Sequence, residues 1–558
     1  MGRIPAGRWW LWAHLVSLAA GAVVLVRVNR TQWFFGDEWE FLVNRGFSGA
    51  RFDIWYPHNE HWSTIPILVY STLRDTVGLG SYWPFIGVLI AVHLTLTHLL
   101  WRAMTRAGCS QLISLVGAAL FAVFGAGYEN LLWAFQIGFV GSLAFGWAAA
   151  LVVDRSDRLS RTDGWAVLLL VCGLMCSGIG VPTVGMVAVL ALARARSLWR
   201  PVVIAGVPAA VFGLWYLIVP QPPKPPWRAP IDDGLLALAT HVVDGLRNTI
   251  ALATRLPAGI ALLVLVAVAV WTVYQSVRIV LDRPGARDLA ICVIGLYGAA
   301  GFFLLSGFGR ADTTSSRYIY VATAFMLPTV VAAFSWAARA LWAQATVAGV
   351  FALLLLLNVS TLRAASASEG QRELIIERIV TAAPGLIATG EPLVGVQPEP
   401  TYDPDITVES LPELVADGLP TAPVTDSGLA GARLGLQIEV RPTIAIPADA
   451  PPLTLSAFAG IDQPSVDQAG CTRITVTGDD PHLVLRTPGG ITGLSVTPEA
   501  DGVVALALEE HLDAGQRATP VTADKSLPLP ISLPAGTPVR LQLAVPAATI
   551  CGLAPQGG

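Results

Sequence analysis

The sequence predicts a polytopic α-helical membrane protein of about 11 transmembrane helices with a C-terminal extracytoplasmic β-sandwich domain. Three observations lead there. Of 558 residues, 54% are hydrophobic and only 13% charged, against roughly 25% charged in soluble domains; the mean hydropathy is +0.60. Long apolar runs recur up to residue 358. After Ala432 the pattern changes to short runs of period two bounded by Pro and Gly, as in a sandwich.

The apolar runs are 9–28, 83–104, 110–126, 137–153, 164–179, 180–193, 201–219, 258–281, 288–306, 318–336 and 341–358. The first follows Arg3 and Arg8, is long enough to span, and precedes no clear cleavage site, so it reads as an uncleaved helix. With the N-terminus cytoplasmic, every inside segment carries arginine, from Arg102/Arg106 and Arg155/Arg158/Arg161 to Arg194/Arg196/Arg200, Arg278/Arg283/Arg287 and Arg339. That asymmetry obeys the positive-inside rule and predicts a multi-pass plasma-membrane protein. Residues 63–80, with Pro66, Arg74 and Asp75, read as an interfacial amphipathic helix. Residues 232–256 read similarly, after the Pro-rich stretch 220–226.

Three domains follow: 1–360 spanning the membrane, 361–430 as a helix (364–384) and a Pro-rich linker, and 431–558 as the β-domain. Its candidate strands include 434–440, 453–458, 473–477, 482–486, 503–508 and 539–545. Cys471 and Cys551 lie there and are candidates for a disulfide, whereas Cys109, Cys172, Cys176 and Cys292 lie in or beside apolar runs, where thiols usually pack. No basic block points to nucleic acid, and no Walker-type loop points to ATP.

Chemistry gathers in three outer loops. The first holds Gly36-Asp37-Glu38-Trp39-Glu40 and Pro57-His58-Asn59-Glu60-His61-Trp62. Ionisable groups at a membrane edge are costly without a use. A carboxylate such as Asp37 can take a proton from an attacking hydroxyl, or ligate a divalent cation; His58, Glu60 and His61 add ligands or proton acceptors. The plain alternative is a solvated loop. The second loop, Gly125–Gln136, offers Glu129, Asn130 and Gln136 to hydrogen-bond a sugar, beside Tyr128 and Trp133; the alternative is helix capping and an aromatic belt. The third, Gly309–Tyr318, sets Arg310 and Arg317 in a hydroxyl-rich segment before a helix, which suits a phosphate. Lys224, Arg228, Arg247 and Arg255 could add to it.

The acidic pair after the first span, the acidic second loop, and Arg317-Tyr318 opening a late span together resemble the GT-C superfamily of integral-membrane glycosyltransferases. The likeness is to bacterial mannosyl- and arabinosyltransferases dependent on polyprenyl-phosphate sugars, and covers roughly the first 360 residues in topology. It implies a GT-C-like enzyme in which Asp37 is the catalytic base with Glu38 beside it. Arg310, Arg317 and Tyr318 would then hold the donor phosphate. The implied partners are a polyprenyl-phosphate sugar donor, a cell-envelope glycan, lipid or protein acceptor, and membrane lipids. Some members use a divalent cation, Mg or Mn, and some do not; Asp37, Glu38 and His61 would be the ligands. The tail resembles β-domains of some mycobacterial-type members in architecture. Two other expectations remain open: a transporter or flippase of lipid-linked glycan, and a non-catalytic envelope scaffold that binds glycan. A transporter would place polar groups along the middle of its spans, where only His93 and His98 stand out.

Overall fold

Leu, Val, Ala and Ile runs free of breakers give helices, and the helices begin and end where Gly, Pro or charge interrupts them. The computed structural model describes residues 6–46, 53–195, 198–222, 234–421, 426–440 and 445–555. Lys224, Arg228 and most of the Pro-rich stretch 220–226 lie outside the described residues. The helices are α1 (Ala6–Val28), α2 (Thr64–Val77), α3 (Trp83–Arg106), α4 (Gln111–Ala122), α5 (Glu129–Leu132), α6 (Ile137–Val153), α7 (Asp163–Leu174), α8 (Gly180–Arg194), α9 (Trp199–Ile218), α10 (Gly234–Thr254), α11 (Ala258–Val280), α12 (Ala290–Ser306), α13 (Ser316–Ala337), α14 (Leu341–Ala388), α15 (Leu411–Ala416) and α16 (Asp426–Leu436).

Among the described residues, eight helices are long and apolar enough to cross a membrane. Not all of the about eleven expected spans therefore reach that length among the described residues. The runs 110–126, 164–179 and 180–193 become α4, α7 and α8, of 12, 12 and 15 residues. A 12-residue helix rises about 18 Å, short of a hydrocarbon core of about 30 Å. Apolar composition extends past the helical part, because the chain turns at Val123 and again at Ser177-Gly178.

Contacts divide the chain into two units. The first comprises Met1–Gln32, Arg45–Leu73 and Tyr82–Gly370, and the second Trp33–Asn44, Arg74–Ser81 and Gln371–Gly558.

In the first unit the helices cross at small residues, which let backbones approach. A Cβ on Gly295 of α12 would sit 2.1 Å from the Phe325 carbonyl oxygen of α13 and 2.7 Å from Thr329 Oγ1. The Thr329 hydroxyl donates to the Cys292 carbonyl across the same crossing. Gly295→Ala should therefore lower stability by about 1–3 kcal/mol through overpacking, read as a fall in thermal midpoint in detergent. Gly87→Ala, with no atom near the added methyl, should leave the midpoint level or raise it slightly, since alanine restricts the unfolded chain.

The polar groups of this unit separate to two ends. At one, Arg106 pairs with Asp154, and Arg194 with Asp154 at 3.4 Å and Asp157 at 3.2 Å. Arg194 also donates to the Arg287 carbonyl, and Arg200 pairs with Asp163 at 2.8 Å. This ionic belt ties the ends of α3, α6 and α8 to the starts of α7, α9 and the segment before α12. At the other end, the 58–61 turn, the 125–136 segment, the Gly178 turn and the start of α13 meet. His93, in the middle of α3, is bonded to the Tyr320 hydroxyl at 2.7 Å and the Ala122 carbonyl at 3.1 Å, a satisfied core histidine.

In the second unit, nine antiparallel strands among the described residues form two sheets. The strands are β1 (Thr454–Ala459), β2 (Cys471–Thr475), β3 (His482–Arg486), β4 (Thr492–Pro498), β5 (Gly502–Leu508), β6 (Arg517–Val521), β7 (Leu527–Ile531), β8 (Pro538–Ala544) and β9 (Ala547–Cys551). One sheet runs β1-β3-β8-β5-β6 and the other β2-β9-β4-β7. Alternate residues such as Leu483, Leu485, Leu506, Leu541, Ile474, Val496 and Ile550 fill one core between them. A disulfide joins Cys471 to Cys551, directly opposite on β2 and β9. The expected strand 434–440 is a correction: it begins as the last turn of α16. Ala430, Leu434 and Ile438 reach the core at intervals of four, a helical spacing that also reads as period two.

Candidate functional site

The residues singled out in the sequence fall into two groups, one in each unit.

In the second unit, Trp33–Glu40 forms a turn whose backbone amides are bound by carboxylates. Trp33 N–H donates to Glu373 Oε2 at 2.6 Å, Phe35 N–H to Glu38 Oε2 at 2.8 Å, and Gly36 N–H to Asp403 Oδ1 at 2.8 Å. Gly36 sits at φ +59°, left-handed backbone that glycine adopts without strain. Trp33, Phe34 and Trp39 pack beneath, with ring centroids 5.3–5.8 Å apart. Glu38 is fully buried and caps its own turn, whereas Asp37 remains half-buried. The acidity of this stretch is thus partly architectural.

The linker 385–430 supplies the rest. Glu399 folds back to accept the Tyr402 and Asp403 amides. Arg372 lies over the Phe35 ring at 4.3 Å and the Tyr402 ring at 5.7 Å. Asp403 is fully buried, and its carboxyl is pushed well above the usual range. Burial is the main cause, with the Glu399 and Glu38 charges acting the same way and the Gly36 amide opposing them. Sequence reading missed Asp403, Glu399, Glu373 and Arg372. The only signal was Pro398-Glu399-Pro400-Thr401-Tyr402-Asp403-Pro404, a turn-rich acidic stretch inside an irregular segment.

In the first unit, His58 and His61 exchange backbone hydrogen bonds of 3.0 and 2.9 Å, closing a tight turn with Asn59 at φ +52°. Asparagine tolerates that conformation better than most side chains. His58 is buried against Phe135 at 5.3 Å and lies 2.8 Å from the Asn59 amide. His61 Nδ1 accepts the Gly178 N–H at 3.3 Å, so its proton belongs on Nε2. Glu129 accepts the Ser316 hydroxyl and stands 3.7 Å from Arg317 Nε. The Arg317 guanidinium lies 5.9 Å from the Trp133 ring, which stacks on Phe135 at 5.0 Å. Tyr318 lies in electrostatic reach of Arg310, Arg317, Asp312 and Glu60. The structure therefore brings Glu60, Glu129, Arg310, Arg317 and Tyr318 to one end of the bundle.

Asn130 and Gln136 depart from expectation. Both are fully buried rather than displayed along a loop, because 123–136 folds as short helical turns that pack inward. Among the described residues neither amide has a hydrogen-bond partner. Glu38 and His61 already serve backbone amides, and among the described residues no three His, Cys, Asp or Glu side chains converge to hold an ion. Neither a protein-family model nor a curated protein sequence matches the chain.

Proposed function

We propose that this chain is an integral-membrane glycosyltransferase that moves a sugar from a polyprenyl-phosphate donor to a cell-envelope glycan, lipid or protein acceptor. The observation that carries the reading is the setting of the Arg317 guanidinium. Its Nε is 3.7 Å from Glu129, the Trp133 ring lies 5.9 Å away, and Arg310 and Tyr318 stand near. A guanidinium fork meets a phosphate with its terminal amino groups, here at the start of α13, where the helix dipole favours negative charge. By the positive-inside rule the ionic belt is cytosolic, which would put this end on the outer face.

The chemistry is a displacement at the anomeric carbon. The base removes the proton of the acceptor hydroxyl, that oxygen bonds to the anomeric carbon, and the bond to phosphate breaks. Its electrons leave with the polyprenyl phosphate, whose charge Arg317 and Arg310 stabilise. Attack from the opposite face inverts the configuration. We assign the base role to Asp37, the half-buried carboxylate beside Glu38. No step is routed through a metal.

The test is transfer from a polyprenyl-phosphate sugar by the purified full-length chain. Arg317→Ala should cut the rate by about 10²–10³, the usual cost of a lost charge-stabilising donor, and Arg317→Lys should recover only part. Asp37→Asn should abolish transfer while insertion into the membrane is unchanged. Undiminished turnover in Arg317→Ala would discard the phosphate site, and in Asp37→Asn the assignment of the base.

A further inference from the structure

The structure assigns Asn358 as a positioning residue: its carboxamide, carried by α14, holds the turn ahead of Glu129 and so sets the Glu129–Arg317 pair. The inference rests on the phosphate role proposed above for Arg317 and concerns how that arginine's partner is placed.

Glu129 opens α5, within the run 123–136, where apolar composition continues but the chain leaves the regular helix. Short turns inside a bundle leave backbone groups without intrahelical partners, and buried ones must be satisfied from elsewhere. Three side chains from other parts of the unit do so here. Asn358 Oδ1 accepts the Ala126 N–H at 3.0 Å. Asn29 Nδ2 donates to the Leu131 carbonyl at 3.1 Å, and the Tyr82 hydroxyl accepts the Ala134 N–H at 2.8 Å. Of the three, Asn358 acts ahead of Glu129 and joins the most elements. Its Nδ2 also donates to the Ala253 carbonyl at 3.2 Å and the Leu354 carbonyl at 3.0 Å. Ala253 lies in the last turn of α10, where carbonyls have no partner within the helix. One buried carboxamide thus ties α14 to the end of α10 and to the entry of the Glu129 turn.

Close packing gives this tether its leverage. A Cβ on Gly125 would stand 2.0 Å from the Asn358 carbonyl oxygen, and one on Gly127 2.6 Å from Tyr320 Cβ. Gly125-Ala126-Gly127 is therefore a wedge, with α14 on one side and α13 on the other, three residues past Arg317. Glu129 follows two residues later and meets Ser316 and Arg317 on that same α13. Asparagine is a poor residue for a helix interior, because its side chain competes for backbone groups. At position 358 that tendency is turned on the amide of another segment. Without it the Ala126 N–H loses its acceptor, the wedge is free to slide along α14, and Glu129 leaves its place beside the Arg317 guanidinium.

Binding of undecaprenyl phosphate to the purified full-length chain in nanodiscs tests this. A dissociation constant is read per folded molecule and does not change when part of a sample unfolds. Asn358→Leu, similar in volume but without the hydrogen bonds, should raise that constant about tenfold, the lower end of what a hydrogen bond to a charged group contributes. Thr329→Val removes the hydroxyl bond at the α12–α13 crossing; it should lower the thermal midpoint and leave the constant unchanged. Glu129→Gln should raise the constant by itself. Adding Asn358→Leu to it should add less than about twofold, because residues acting through one another are not additive. Where Asn358→Leu does not fold, Asn358→Gln, whose carboxamide is displaced by a methylene, should show the same rise. An unchanged constant in the folded Asn358 variant, or an undiminished further rise in the Glu129→Gln background, overturns the role. No binding by the native chain discards the phosphate site and the inference with it. If binding behaves as expected but no chain transfers sugar, the positioning role stands and the glycosyltransferase reading falls.

Discussion

Replacing Cys471 and Cys551 together by alanine is expected to destabilise the β-sandwich by about 4.5 kcal/mol. The bridge closes a loop of 80 residues, and the chain-entropy relation gives that figure for such a loop. The two cysteines face each other across β2 and β9. The loop contains β3 through β8, nearly the whole sandwich. Without the bridge, the unfolded segment regains the freedom that its ends had lost. Denaturant unfolding of the full-length chain, followed through the β signal, should show the midpoint moving down sharply. A midpoint equal to that of the native chain would mean that no bridge forms. The same bond reports on location, because disulfides persist in oxidising compartments and are rare in the cytosol. Alkylation of unreduced, denatured chain should label four cysteines, namely Cys109, Cys172, Cys176 and Cys292, which are free in the structure. Labelling of all six would place the sandwich in a reducing compartment and reverse the proposed orientation.

What the sequence discloses is what local pattern controls. Hydropathy locates α3, α11 and α13 closely, and alternation gives β3 residue for residue. Failures occur where tertiary contacts decide. The runs expected as 341–358 and 364–384 are one helix, α14, which passes unbroken through Gly370, where that residue sits against Thr31. At the site, Glu129 and Arg317 were both visible as polar residues in apolar surroundings, but their pairing was not. Side chains 188 positions apart meet only through the packing of α5 against α13. Asp403 was invisible for a related reason. A buried amide donates to whichever carboxylate the fold delivers, and here it comes 367 positions later. Glu38 shows the converse: an acid prominent in sequence whose work is to hold its own turn.

The second large effect is expected in the ionic belt. Arg200→Ala should cost about 3–5 kcal/mol, the range for breaking a buried ion pair by removing one partner. Arg200 and Asp163 are 1% and 2% exposed at their side chains. The guanidinium binds Asp163 at 3.2 and 2.8 Å, the Val153 carbonyl at 2.7 Å and the Ser156 carbonyl. It thus ties the end of α6 and the following loop to the start of α7. A cation in the first turn of α9 opposes that helix's dipole, so Arg200 is tolerated there because these acceptors surround it. Removing it strands Asp163 with the Ser160 amide, at 2.9 Å, as its remaining partner among the described residues. Arg200→Met combined with Asp163→Leu removes both charges and should recover much of the loss. Recovery stays incomplete, because the Val153 and Ser156 carbonyls still lack donors, at about 1–3 kcal/mol for each such group. Thermal unfolding in detergent should therefore rank the native chain above the double variant and the double variant above Arg200→Ala. Equal midpoints for the single and double variants would show that the stranded charge is not what matters. The belt would then contribute through its hydrogen bonds to the helix ends alone.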